Sequence, residues 1–240
     1  MSMKNWILLF LTIFSVIGIN AQNTVINDPN AQVRDVKNFH GVEVSNAINL
    51  YLTQGNQEAV AVSARDTKYR DLIRTEVKNG ILKIYLDKDS WNWHGGDHKL
   101  KAYVSIKTID KLSGSGASDI MVDGTVSGDQ LDLRLSGASD FKGAVKFNGI
   151  TLDQSGASDV TISGSVNEIS IEASGASNVK GYDLVTDNCK VHASGASDIR
   201  ISVNKALSAH ASGASSVYYK GTGVITDIHT SGASNITKKS

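Results

Sequence analysis

Ser155-Gly156-Ala157-Ser158-Asp159-Val160 is one of seven near-copies of a Ser-Gly-Ala-Ser pentad, and the reading of these copies decides the fold. Their glycines are Gly116, Gly137, Gly156, Gly175, Gly195, Gly213 and Gly232, separated by 21, 19, 19, 20, 18 and 19 residues. A fixed period of this size marks a solenoid, in which one supersecondary unit stacks on the next. The fifth position is Asp119, Asp140, Asp159, Asn178, Asp198, Ser216 or Asn235.

The residues flanking each pentad fall into columns. Nine before the fifth position stand Leu131, Ile150, Ile169, Cys189, Leu207 and Thr226. Seven before stand Leu133, Leu152, Ile171, Val191, Ala209 and Ile228, and five before stand Leu135, Gln154, Ala173, Ala193, Ala211 and Thr230. Immediately after come Phe141, Val160, Val179, Ile199, Val217 and Ile236. Mostly apolar columns at intervals of two are the inward faces of strands. About 19 residues at about 3.3 Å each give about 60 Å of chain, one winding around a narrow core with no room for a crossover helix. The expectation is an all-β parallel β-helix with about 19-residue turns, its corners built from Gly, small residues and turn-forming Asp or Asn.

The remaining chain divides at 21 and 112. Residues 1–21 read as a secretory signal peptide: Lys4, then an apolar run from Trp6 to Ile19, then Ala21. No cysteine follows that run, which gives no support to a lipid anchor, and no later run is long enough to span a membrane. Residues 22–112 read as an irregular β-rich part that caps the solenoid, and 113–240 as the seven-copy repeat, with 33–240 one structural domain. Within the N-terminal part, Asp66 suits a helix N-cap. Asn79-Gly80 reads as the turn of a hairpin between Thr75-Val77 and Ile81–Leu86.

Charge excludes some partners. Removing the signal takes Lys4 from 24 basic residues and nothing from the 24 acidic ones. A chain so close to neutral lacks the basic footprint of a nucleic-acid binder. Cys189 is the only cysteine, so no intramolecular disulfide forms, and its column points it inward as a small hydrophobe.

Several residues invite functional readings. Asp119, Asp140, Asp159 and Asp198 would stack as a carboxylate ladder, a candidate cation site. Asn or Ser at three turns favours a corner role instead. Trp91 and Trp93, in the Gly-rich stretch 87–99, are a candidate stacking platform for a ligand; the alternative is that they cap the open end of the core. His94, Asp97 and His98 are too few and too close for a zinc site. His192 and His210 should face outward, without a nucleophile or orienting acid. Arg134 and Arg200 should also face outward, without an acid partner set. No catalytic residues and no cofactor are expected.

Phe39-His40-Gly41-Val42-Glu43-Val44, Ile48-Asn49-Leu50-Tyr51-Leu52-Thr53-Gln54-Gly55, Asn79-Gly80-Ile81-Leu82-Lys83-Ile84 and the Ser-Gly-Ala-Ser-Asp repeats together carry a resemblance. Over Val33 to Ile236 the chain resembles the bacterial auto-transporter adhesin, head GIN domain family. The resemblance implies a right-handed β-helix in an exported protein of a Gram-negative bacterium, located in the periplasm, at the outer membrane or outside the cell. It supplies no catalytic residues. The expected function is a non-enzymatic adhesin-like binding module of the cell envelope, with a glycan or envelope protein as partner. The alternatives are a polysaccharide-active β-helix lyase or hydrolase, and a self-associating structural envelope protein.

Overall fold

The computed structural model describes residues 27–87 and 98–240. The signal segment, Trp91, Trp93, His94 and Asp97 lie outside the described residues.

Long strands run from pentad to pentad, as the columns require. They are β9 (Ile120–Leu135), β10 (Asp140–Gln154), β11 (Asp159–Ala173), β12 (Asn178–Ala193) and β13 (Asp198–Ala211). Each pairs in parallel with the next, and the last turn adds β14 (Ser216–Lys220), β15 (Val224–Thr230) and β16 (Asn235–Lys238). Registers are set by the pentads: Ile150 faces Ile169, Ile169 faces Cys189, and Cys189 faces Leu207. The inward columns fill the bore, with Leu133, Leu152, Ile171, Val191 and Ala209 all fully buried. This is a β-solenoid with windings about 19 residues apart.

One column departs from expectation. Ile225, not Thr226, lies opposite Leu207, because the pairing shifts by one residue between Leu207 and Ser208. Thr226 is the extra residue, and its Oγ1 donates to the Leu207 carbonyl at 3.1 Å.

The N-terminal part is β-rich, and its irregularity is one of order. After a short β1 (Gln32–Arg34) come β2 (Gly41–Val44), β3 (Asn49–Gln54) and β4 (Ala59–Ser63). A single helical turn, α1 (Thr67–Arg70), follows, with Asp66 accepting from the Lys68 amide as its cap. β5 (Ile73–Lys78) and β6 (Ile81–Leu86) form the antiparallel hairpin, with Asn79 and Gly80 at φ 51 and 75. β7 (Lys101–Ile106) and β8 (Lys111–Gly114) lead into the repeats. β2 pairs in parallel with both β6 and β8, and β3 with both β7 and β9. The winding made by residues 41–54 is thus inserted between two windings that come later in the chain. β4 pairs antiparallel with β7, and β1 with β4, at that end of the sheet.

Candidate binding groove

From the second pentad on, one bond recurs at every corner. The alanine amide donates to the glycine carbonyl of the winding before: Ala157 to Gly137 at 2.7 Å, Ala196 to Gly175 at 2.7 Å. The fourth-position serines of the first six pentads are buried, and three of their hydroxyls donate to the carbonyl of the pentad's own first serine: Ser158 to Ser155 at 3.0 Å, Ser177 to Ser174 at 2.8 Å, Ser197 to Ser194 at 2.9 Å. The glycines have φ near +75, where a side chain is strained. Corners therefore superpose from winding to winding, and so does every column beside them.

The fifth-position ladder is real: Asp140 faces Asp159, Asp159 faces Asn178, and Asn178 faces Asp198. Three of its carboxylates meet protein groups, with Asp198 Oδ1 left buried and without a hydrogen-bond partner. Asn178 Nδ2 donates to Asp159 Oδ1 at 2.7 Å, Lys180 lies 3.6 Å from Asp159, and Arg200 lies 2.9 Å from Asp198. The Asp159 amide donates to Asp140 at 3.2 Å. Asp119 differs: burial and the neighbouring Asp140 push its carboxyl above the usual range. These contacts fit the corner role.

A different column lines a groove of about 880 Å³. It holds the outward residues two before each pentad serine: Arg134, Asp153, Glu172, His192, His210 and His229. The register pairs them in that order, one per winding. The N-terminal end of the groove is ionic. Arg134 Nε donates to Asp132 at 2.8 Å and lies 3.6 Å from Asp153, so it has the acid partners that its sequence context did not reveal. Arg200 likewise pairs with Asp198. Burial raises the Asp153 carboxyl, with Arg134 opposing and Glu172 and Asp132 adding to the rise.

The C-terminal end is imidazole. His192, His210 and His229 meet edge to face, with ring centroids 4.9 and 4.7 Å apart. His192 Nδ1 is buried without a hydrogen-bond partner. His210 Nε2 lies 2.7 Å from Asp227 Oδ2, an acid partner that the sequence reading did not give it. His229 Nε2 lies 3.1 Å from Asp227 Oδ1. The Asp227 carboxyl is held below its usual range, chiefly by its bond to His210. Among the described residues, these three gather ligand-capable atoms within 4.8 Å of one another. The signal for His229 was present in the sequence. It stands six residues before Asn235, as His192 and His210 stand before Asp198 and Ser216.

Cys189 is buried, and burial pushes its thiol up to about 12, so it is inert packing. No helix among the described residues is long and apolar enough to cross a membrane.

Three solved structures share this fold. A "putative adhesin" from Bacteroides fragilis superposes with a TM-score of 0.81 at 20% identity, covering 87% of this chain and 96% of that one. A "putative adhesin" from Parabacteroides merdae gives 0.68 at 13% identity, covering 88% and 95%. A "putative lipid binding protein" from Parabacteroides distasonis gives 0.63 at 18% identity, covering 88% and 98%. No curated protein matches the sequence. The sequence family described as "Putative auto-transporter adhesin, head GIN domain" matches residues 38–223, and the chain belongs to it.

Proposed function

We propose that the chain is an exported, non-enzymatic binding module of the bacterial cell envelope, and that the Arg134–His229 groove holds an extended polar partner. A glycan strand or an extended segment of an envelope protein fits that description. One observation carries the reading: six polar side chains stand in register on six successive windings. Strands lie about 4.8 Å apart, so the column is about 24 Å long. Such a row matches a linear ligand better than a compact one. Family membership supports an adhesin-like role, and the Lys4–Ala21 segment supports export. Trp91 and Trp93 remain the candidate second contact, supported by their sequence context alone.

The test is a glycan and envelope-protein screen of the mature chain, repeated with Arg134→Ala and Glu172→Ala. Binding should fall in both variants. A partner captured equally by both, with circular dichroism unchanged, would place the site elsewhere. Retention unchanged in Trp91→Ala/Trp93→Ala would remove the stacking platform.

A second reading is favoured by the convergence of Arg134, Asp153 and Glu172 in one groove. Carboxylates one rung apart are near the spacing used by retaining glycosidases, about 5 to 5.5 Å, so a polysaccharide-cleaving enzyme is the competitor. New reducing ends or unsaturated sugars from a polysaccharide panel, lost in Asp153→Asn, would establish it in place of the binding role.

A further inference from the structure

We propose that His210, Asp227 and His229 form a binding site for a divalent first-row transition ion, with zinc the ion their donors suit. The same nitrogen of each imidazole, Nε2, is turned toward the two oxygens of one carboxylate, at 2.7 and 3.1 Å. Zinc takes histidine nitrogen and carboxylate oxygen at about 2.0 to 2.2 Å, so a tetrahedral site sets neighbouring ligand atoms about 3.3 to 3.6 Å apart. The two contacts are somewhat shorter than that spacing, and all three ligand atoms lie within 4.8 Å of one another. An ion that replaces the protons shared with Asp227 needs small side-chain rotations and no backbone movement.

The column positions explain why the convergence occurs at this winding. The pentads put His229 opposite His210, as they put His210 opposite His192. One outward position before these three imidazoles stand Lys190, Ser208 and Asp227, so only the last winding brings an acid beside them. Asp227 lies on the same face of the strand as His229. The edge-to-face packing of His210 between His192 and His229 limits its ring to few orientations.

The donor set decides the ion. Two imidazoles and one carboxylate match zinc, copper or nickel, whereas calcium prefers six to eight oxygens. Three protein ligands leave a position open for water or for a ligand atom of a partner. Because the ion alone is the probe, this inference does not rest on the groove reading. Zinc binding with no glycan or protein partner, or the reverse, separates the two.

The test uses the mature chain without an affinity tag, stripped with chelator and titrated with zinc chloride by calorimetry and by thermal melting. The expected result is one ion per chain and a raised melting temperature. His229→Gln and Asp227→Asn should each weaken binding tenfold or more, while His40→Gln, in a separate pair with Asp110, leaves it unchanged. Asp227 and His229 are exposed, so these variants should fold, as circular dichroism will check. No binding at millimolar zinc overturns the proposal. So does binding that persists in a His210→Gln/His229→Gln double variant, or calcium binding there as strongly as zinc.

Discussion

Replacing Gly195 with alanine tests whether close approach between corners, rather than corner conformation alone, holds the windings together. Gly195 has φ +72, and a Cβ there would lie 2.5 Å from the Gly175 carbonyl oxygen and 3.0 Å from the Gly175 nitrogen. Gly124 is the control: its φ is +79, and a Cβ there meets nothing within 4 Å. A left-handed conformation costs alanine about 1 to 2 kcal/mol, partly offset by a less flexible unfolded chain. That sets about 1 kcal/mol for Gly124→Ala. Gly195→Ala adds backbone overlap of about 1 to 3 kcal/mol. Relief by moving the rung would stretch the Ala196–Gly175 and Ala214–Gly195 hydrogen bonds, both 2.7 Å. The total is about 3 kcal/mol. At about 2 to 4 °C per kcal/mol for a chain of this size, the melting temperature should fall by about 10 °C for Gly195→Ala and about 3 °C for Gly124→Ala. Circular dichroism melts, paired with urea midpoints because repeat proteins lose two-state behaviour, will measure this. Gly232→Ala, whose Cβ would lie 2.8 Å from the Gly213 oxygen on the last winding, should fall between them. Equal losses at Gly124 and Gly195 would refute the reasoning, since conformation would then account for everything.

Three further outcomes follow from the charges and the thiol. Asp119 has a raised carboxyl pKa, so its ionised form costs stability as pH rises through the folded value. Asp119→Asn should therefore melt higher than wild type at pH 7, with the gap closing below pH 4; a gap that persists in acid would contradict the cause. Glu43 has the opposite sign: its contacts to Lys111 at 2.7 Å and Lys83 at 3.2 Å lower its pKa, against burial. Its contribution is present above the unfolded carboxylate value and lost as pH falls through the folded one, so Glu43→Gln should melt lower at pH 7 and match wild type in strong acid. Cys189, buried with its thiol pushed up to about 12, should react with a disulfide reagent at pH 8 only as fast as the chain opens. Prompt reaction of the folded protein would show that its winding breathes.

The solenoid was legible because its corners demand a rare combination. Only glycine fits both the positive φ and the close approach to the winding before, so seven glycines at near-constant spacing were enough. The same logic shows why an eighth corner escaped notice. Ser45-Asn46-Ala47-Ile48-Asn49 occupies the equivalent place beside the first pentad: the Ser115 amide donates to the Val44 carbonyl at 3.0 Å, and the Ile48 amide to Ser118 Oγ at 3.3 Å. Asn46 takes the glycine role at φ 64, since asparagine tolerates that region. Nor does spacing reveal that residues 41–54 are inserted between later windings. A repeat constrains which residues are equivalent, not the order in which the chain visits the stack. The groove was missed for a related reason. Apolar columns declare themselves by uniformity, whereas Arg134, Asp153, Glu172, His192, His210 and His229 share only their position. The fifth-position carboxylates of Asp140, Asp159 and Asp198, by contrast, already meet neighbouring amides or cations.

A parallel stack multiplies whatever it displays. Each outward residue recurs about every 4.8 Å in a straight row, and a row spreads functional groups out where a reaction centre must draw them together. That geometry favours holding a linear partner through many modest contacts, and it makes affinity depend on how many rungs are engaged. Convergence on a single point needs a second column beside the first. Asp227, one outward position before His229, supplies it, and there two imidazoles close on one carboxylate. The groove's two ends are therefore different devices: a track where single side chains follow one another, a point where two imidazoles share one acid. Asp227→Asn should abolish the point and leave the track, because Arg134, Asp153 and Glu172 sit on other windings. Loss of zinc binding with retained partner binding in that variant would confirm the division. Loss of both would show that the last winding holds the whole groove in shape.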